Sequence, residues 1–357
     1  MKIALVLGTR PEIIKMSPII RFLEKNKNEY FIIHTNQHYS KNLDEVFFKE
    51  LELPKVKYNL NVGSGLHGEQ TARMMVRIEE IFLKEKPNKI LVQGDTNTVL
   101  SASIVASKLK IDLGHIEAGL RSGDKNMPEE INRIVADHCS TYLFTPTENS
   151  SKNLLNENIK QKNIYMVGNT IVDAIQQNLK IAQKKSDIIK KLNLQEKNYI
   201  LVTTHRAENV DNKNRLKRIF KGLGMLQKKF SIPVIIPLHP RTLSRIKEFK
   251  ISIPKTLKII EPLGYMDFLV LESKTRLIAT DSGGIQEEAC ILHVPCITMR
   301  DTTERPETIA VGGNVLVGWD EDKILKYGIK MSKIDKVWPN PFGNGNSSEL
   351  IIENLSK

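Results

Sequence analysis

Short apolar runs alternate with longer amphipathic segments along the whole chain, and that alternation admits few folds. Runs at Ile3–Leu7, Tyr30–Thr35, Lys89–Gln93, Leu113–Ile116, Tyr142–Thr145 and Ile164–Val167 form one series. Those at Tyr199–Thr203, Val234–Pro237, Leu257–Ile260, Leu277–Ala279, Pro295–Thr298 and Val315–Val317 form a second. Helical patterns fill the gaps: over Glu69–Glu85, Ala72, Met75, Val76, Glu79, Ile81 and Phe82 fall near a 3.6-residue spacing. Strand–helix alternation of this kind predicts an α/β protein with parallel sheets covered by helices on both faces. The two series break near Gly168-Asn-Thr170. The expected domains are therefore residues 1–168 and 169–340, with a C-terminal segment 341–357 whose helix (Ser347–Asn354) packs back on the first domain. Ligands of such folds sit at the carboxyl ends of the strands, and two facing domains would form a deep cleft.

Composition excludes several classes. A length of 357 residues suits two cores. No apolar run approaches the roughly 18–20 residues of a membrane span. The opening Met1–Gly8 leads into Thr9-Arg-Pro-Glu12 with no small-residue cleavage site, so it reads as a buried strand of a cytoplasmic protein. Three cysteines form no CxxC pair and accompany no histidine cluster, which argues against a disulfide framework or a metal site. The net charge of +12 comes from 39 lysines against 14 arginines. With no RNA-binding aromatic pattern, zinc finger or Arg-rich arm, it reads as a solvated surface, not a nucleic-acid interface.

The strongest local signal is Asp281-Ser-Gly-Gly-Ile-Gln-Glu-Glu288. A strand ends, a glycine turn follows and a helix begins, so free N–H groups and missing Cβ atoms admit an anion. The run Asp281–Glu288 is the expected diphosphate cradle, with Ser282, Gly283 and Gly284 in its turn, and Glu288 could reach past the phosphates to a ribose hydroxyl pair. The run Gly8-Thr-Arg-Pro-Glu-Ile-Ile-Lys15 is neither a dinucleotide fingerprint nor a Walker loop. Arg10 and Lys15 flank its strand–helix turn and are candidate diphosphate contacts. Carboxylates follow three further segments: Asp95 in Gln93-Gly-Asp-Thr96, Glu117 in His115-Ile-Glu-Ala118, and Glu129 or Glu130 at a helix start. Such groups at neighbouring strand tips suit proton transfer at a carbon or an oxygen. His205 and Arg206 end the first strand of the second series and could stabilise charge on a departing phosphate. His239 repeats that pattern but is expected to be structural or peripheral. Arg305, before Pro306, is a second phosphate clamp, and Phe268 a possible wall for an aromatic base.

In order along the chain, GTRPEIIKMSP, QGDTNTVL, GHIEAGLRSGD, PEEINR, TPTENS, GNTIVDA, TTHRAEN, DSGGIQEEA and MRDTTERPE together resemble the non-hydrolysing UDP-N-acetylglucosamine 2-epimerases. The resemblance implies two Rossmann-like doubly wound domains facing a central cleft, of the glycosyltransferase-B type, and a homodimer. It implies elimination of UDP across C1–C2 to a 2-acetamidoglucal, then re-addition with the proton on the opposite face. That route needs neither NAD nor an obligatory metal. Carried over position by position, Asp95, Glu117, Glu129 and His205 are the catalytic set. Arg10, Lys15, Ser282, Gly283, Gly284, Glu288 and Arg305 hold phosphates and ribose, and Leu263 and Phe268 contact uracil. Which carboxylate is base and which acid stays open. The family's substrate-activation motif, Gln-x-x-Gln with a nearby Arg, is incomplete here. Gln37-His-Tyr-Ser40 ends in Ser and Asn61–Gly65 lacks the Arg, so weak or absent activation is expected. The competing readings are a glycosyltransferase of the same fold, a hydrolysing relative, and an epimerase of a more decorated UDP-sugar such as a diacetamido uronate.

Overall fold

The computed structural model describes residues 1–37, 41–335 and 337–356, and for 41–45 the backbone alone. Ser40, half of the activation motif, lies outside the described residues. The chain divides into two compact units, Met1–Gln177 with Phe342–Lys357, and Asn178–Pro341. The division falls inside the helix Thr170–Lys185, beyond the Gly168 boundary read from the sequence.

The first unit holds β1 (Lys2–Leu7), β2 (Glu29–His34), β3 (Tyr58–Asn59), β4 (Lys89–Gln93), β5 (Asp112–Ile116), β6 (Tyr142–Thr145) and β7 (Ile164–Met166). They lie in the order β3-β2-β1-β4-β5-β6-β7. The second holds β8 (Ile200–Thr203), β9 (Val234–Pro237), β10 (Leu257–Ile260), β11 (Leu277–Thr280), β12 (Cys296–Thr298) and β13 (Asn314–Leu316), ordered β10-β9-β8-β11-β12-β13. Among the described residues every strand pairing is parallel. Parallel sheets are covered on both faces, which is why β1 and β11 are almost wholly apolar and buried. In both sheets the strand order reverses at the first strand of the unit, beside β4 and beside β11. That reversal opens a crevice at the carboxyl ends of β1 and β4, and equally of β8 and β11.

Two sequence expectations change. The helix His67–Glu85 buries Gln70, Met74, Ile78, Ile81 and Phe82. Ala72, Val76 and Glu79, which share the periodicity, face outward, and Val76 is 58% exposed. Residues two positions apart stand about 200° apart on a helix, so one sequence carries two candidate apolar stripes and packing selects one. The short β3 was not anticipated, because two residues carry no pattern.

The C-terminal helix Ser347–Leu355 packs on the helix Arg10–Lys25 of the first unit. Buried Asp173 accepts from Ser348 N at 2.9 Å, Ser348 Oγ at 2.7 Å and Ser347 N at 3.3 Å, offsetting the free N–H groups of that helix start.

Buried Glu12 ties the β1 and β4 turns together, accepting from Gly8 N at 3.0 Å and from Thr9 Oγ1 and Thr96 Oγ1 at 2.8 Å each. Burial raises its pKa to about 7 against these donors. The folded chain thus keeps a proton that the unfolded chain releases between about pH 4.5 and 7. Stability falls as pH rises through that window, by on the order of 3 kcal/mol. Glu12→Gln is expected to raise the melting temperature above pH 7.5 and change it little at pH 5. A variant no more stable than the parent at pH 8 would remove this ionisation cost.

Candidate active site

The expected residues lie on the turns that follow the strands and on the helices those turns open. In the first unit, Lys15 Nζ lies 2.5 Å from Glu117 Oε1, with both side chains largely buried. Asn169 Nδ2 donates to the same oxygen at 3.1 Å. Glu117 adopts φ +67°, a left-handed conformation that costs a non-glycine residue about 1–2 kcal/mol. Such strain persists only where the surroundings enforce it. Asp95 receives Arg133 Nη2 at 2.5 Å, and its backbone carbonyl accepts from Asn132 Nδ2 at 2.9 Å. Arg10 is exposed at the first position of its helix.

The choice between Glu129 and Glu130, open from periodicity, is now physical. Glu130 is buried and occupied. It accepts from Ser122 N and Oγ at 2.9 Å, from Gly123 N at 3.0 Å and from Arg133 Nη1 at 2.6 Å. Burial opposes its charge, but these donors outweigh burial and hold its pKa below the usual carboxylate range. Glu130 therefore anchors the loop before its helix, whereas Glu129 is exposed one residue earlier.

In the second unit, the Asp281 carboxylate turns away from the glycine turn and holds the loop after β8. It accepts from Thr204 Oγ1 at 2.9 Å, His205 N at 3.0 Å, Arg206 N at 3.1 Å and Asn209 Nδ2 at 3.1 Å. The expected cradle thus begins at Ser282. Asp281 is the strut that fixes His205 beside it. Burial, with Arg206 and His239 nearby, lowers the His205 pKa despite Asp281. His205 is accordingly a neutral imidazole at pH 7. His239 is the N-cap of the helix Pro240–Glu248 and accepts from Arg241 N at 3.2 Å, as the structural expectation had it.

Ser282 precedes the helix Gly283–Ile291. A Cβ built on Gly283 would meet nothing nearer than Glu304 Oε2 at 3.7 Å, and on Gly284 nothing nearer than Ser282 Oγ at 4.0 Å. Neither glycine is demanded by packing, and both leave the helix N-terminus bare. Arg305 Nε pairs with buried Glu287 at 2.5 Å, and Arg305 Nη1 donates to Glu304 O at 3.0 Å. Arg300 clamps Glu304 with two bonds, at 2.8 and 3.0 Å, and Glu208 with a third at 2.8 Å. The guanidinium holds Glu304 down at about 2. Glu288 neighbours buried Glu272. Burial, then the Glu288 charge, raises Glu272 well above the carboxylate range, so Glu272 is the neutral member of the pair. Leu263 and Phe268 are half-buried around the start of the helix Tyr265–Lys274.

Asn169, Arg133, Asp281 and Arg300 complete these networks without having been assigned such positions from the sequence. The signal for Asn169 and Asp281 was available, since each is a polar residue just past a strand's carboxyl end. A cavity of about 730 Å³ lined by His34, Phe48, Leu53 and Val56 involves none of the expected site residues. Among the described residues, no three His, Cys, Asp or Glu gather as metal ligands.

The family model for UDP-N-acetylglucosamine 2-epimerase matches residues 21–356. A UDP-N-acetylglucosamine 2-epimerase of Methanocaldococcus jannaschii is 57% identical over 362 residues, covering 100% of this chain and 99% of that protein. The crystal structure of the Methanocaldococcus jannaschii UDP-GlcNAc 2-epimerase in complex with UDP-GlcNAc and UDP superposes with TM-score 0.87, covering 100% and 99%. A UDP-2,3-diacetamido-2,3-dideoxy-D-glucuronate 2-epimerase of Pseudomonas aeruginosa is 40% identical over the full length of both chains.

Proposed function

This chain belongs to the UDP-N-acetylglucosamine 2-epimerase family, a family of isomerases, and we propose that it interconverts UDP-N-acetylglucosamine and UDP-N-acetylmannosamine by eliminating and re-adding UDP. The observation that carries the reading is the strained, buried Glu117 held by Lys15 and Asn169, in the same unit as the Arg133-held Asp95.

The hydrogen on C2 adjoins an acetal carbon, so direct deprotonation would leave an unstabilised carbanion. Expelling UDP as that proton leaves removes the difficulty, because the electron pair becomes the C1–C2 double bond of a glycal. Asp95, Glu117 and Glu129 are the carboxylates assigned to take and return the proton on opposite faces. Lys15 fixes the Glu117 oxygen while that carboxylate changes charge. Ser282, Gly283 and Gly284, at the bare helix start, retain the free diphosphate with Arg305. His205, neutral and held by Asp281, donates to the departing phosphate oxygen. Glu288 takes the ribose, and Leu263 and Phe268 the uracil. We also read the protein as a cytoplasmic homodimer supplying a sugar nucleotide for polysaccharide synthesis. No helix among the described residues is long and apolar enough to cross a membrane.

Incubation with UDP-N-acetylglucosamine in deuterium oxide, without NAD or acceptor, tests the reaction. The manno isomer carrying deuterium at C2 is expected by NMR. Free sugar would indicate hydrolysis, and no exchange would sink the assignment. Turnover confined to a diacetamido uronate would transfer the reading to the substrate that the Pseudomonas relative's name gives.

A further inference from the structure

His115 is fully buried on β5, two residues before Glu117. Its Nε2 lies 2.7 Å from the Gly94 carbonyl and its Nδ1 2.7 Å from Asp137 Oδ1. A peptide carbonyl only accepts, so Nε2 carries a hydrogen. Asp137 Oδ2 accepts from Gly119 N at 3.1 Å and pairs with the Arg121 guanidinium at 2.8 Å, which hold the group as a carboxylate that can only accept from the ring. Nδ1 therefore carries the second hydrogen. A ring bonded in this way on both nitrogens is an imidazolium.

A buried charge of this kind is costly unless paired, and here the pair is complete. Burial works against both charges, yet the His115–Asp137 attraction outweighs it: His115 is raised and Asp137 lowered from their usual ranges. The Arg121 charge supports Asp137, and the Glu117 charge supports the imidazolium.

The location gives the charge a use. Gly94, at φ +84°, is the turn between β4 and Asp95, and its N–H bonds Ile116 O at 3.0 Å. Its carbonyl is the group that His115 holds. One helix, Pro128–Cys139, then grips the same turn three times: Asn132 on the Asp95 carbonyl, Arg133 on the Asp95 carboxylate, and Asp137 through His115. Glu129, Arg133 and Asp137 recur every fourth residue, so they share one helix face. We propose that His115 is a positioning residue which, as a buried imidazolium, locks the turn carrying Asp95 and lends its field to Glu117, so that both carboxylates stand ready for proton transfer.

The proposal rests on the epimerase reading, and its test separates the two. Protein labelled with 15N-histidine is expected to show, at pH 7.5, one ring with two slowly exchanging N–H groups. Their absence overturns the charge assignment whatever the protein catalyses. In His115→Gln a neutral amide can reach only one partner. We expect kcat to fall about tenfold to a hundredfold, with KM and UDP affinity within about threefold and the alkaline limb of the kcat–pH profile displaced. Equal loss of kcat and UDP affinity, or an unmoved pH profile, would reduce His115 to a packing residue. If the variant does not fold, the ring spectrum of the unmodified protein still decides. A parent protein without epimerase activity would remove the functional reading and leave that spectrum as the criterion.

Discussion

Glu117→Gln is expected to cut kcat by about a hundredfold to ten-thousandfold, the range that a positioned proton-transfer group supplies. Stability should fall much less, by about 1–2 kcal/mol. The amide keeps an oxygen for Lys15 Nζ and Asn169 Nδ2, so neither donor is abandoned. What it loses is the ability to accept a proton from carbon. Asp95→Asn is expected to behave similarly, because Arg133 retains Glu130 as its second partner. Steady-state turnover beside UDP affinity and a melting curve checks both. Near-normal turnover in either variant would remove that carboxylate from the proton-transfer set, whereas collapse of the melting curve would show that its charge mainly holds the fold.

Gly284→Val is expected to weaken UDP binding about a hundredfold, roughly 2.7 kcal/mol, while leaving stability unchanged or slightly improved. The two effects have opposite causes. Within the protein the added Cβ has room, its nearest neighbour outside the local backbone being Ser282 Oγ at 4.0 Å. A helix with one glycine fewer gains a few tenths of a kcal/mol. Outside the protein the branched carbon occupies the approach to the N–H groups at the helix start, where a diphosphate must come within hydrogen-bond distance. Isothermal titration with UDP and a thermal melt separate the two. Unchanged affinity would mean that the diphosphate is held elsewhere, and lowered stability that the glycine serves the turn.

Much of this was legible in the sequence, for reasons visible in particular elements. All twelve expected strands form within a residue of their expected ends, because a strand buried on both faces is a run of apolar residues between turn-formers. The turns after β1, β4, β8 and β11 carried Arg10, Asp95, His205 and Ser282 openly, since polar residues just past a buried strand need a reason to be there. Less was legible wherever partners are distant. Asp137 looks like one more polar residue near a helix end. Only folding sets it against His115, 22 positions earlier. Asp281 seemed to begin the cradle, and its orientation toward the loop 76 residues before it is a tertiary fact. Glu129 and Glu130 are adjacent and chemically equal. Their difference lies in where Ser122 and Gly123 place their N–H groups.

The first unit is assembled from both extremes of the chain, and this orders events during synthesis. Segment Asn178–Pro341 is continuous and can close as soon as it leaves the ribosome, but the unit begun before it must wait for Phe342–Lys357. At bacterial or eukaryotic elongation rates the delay is on the order of ten to thirty seconds. Through that interval Asp173, destined to receive the N–H groups of Ser347 and Ser348, has no helix start to accept from. The later-made half is thus free to finish first, and the last helix acts as the clasp that completes the earlier one.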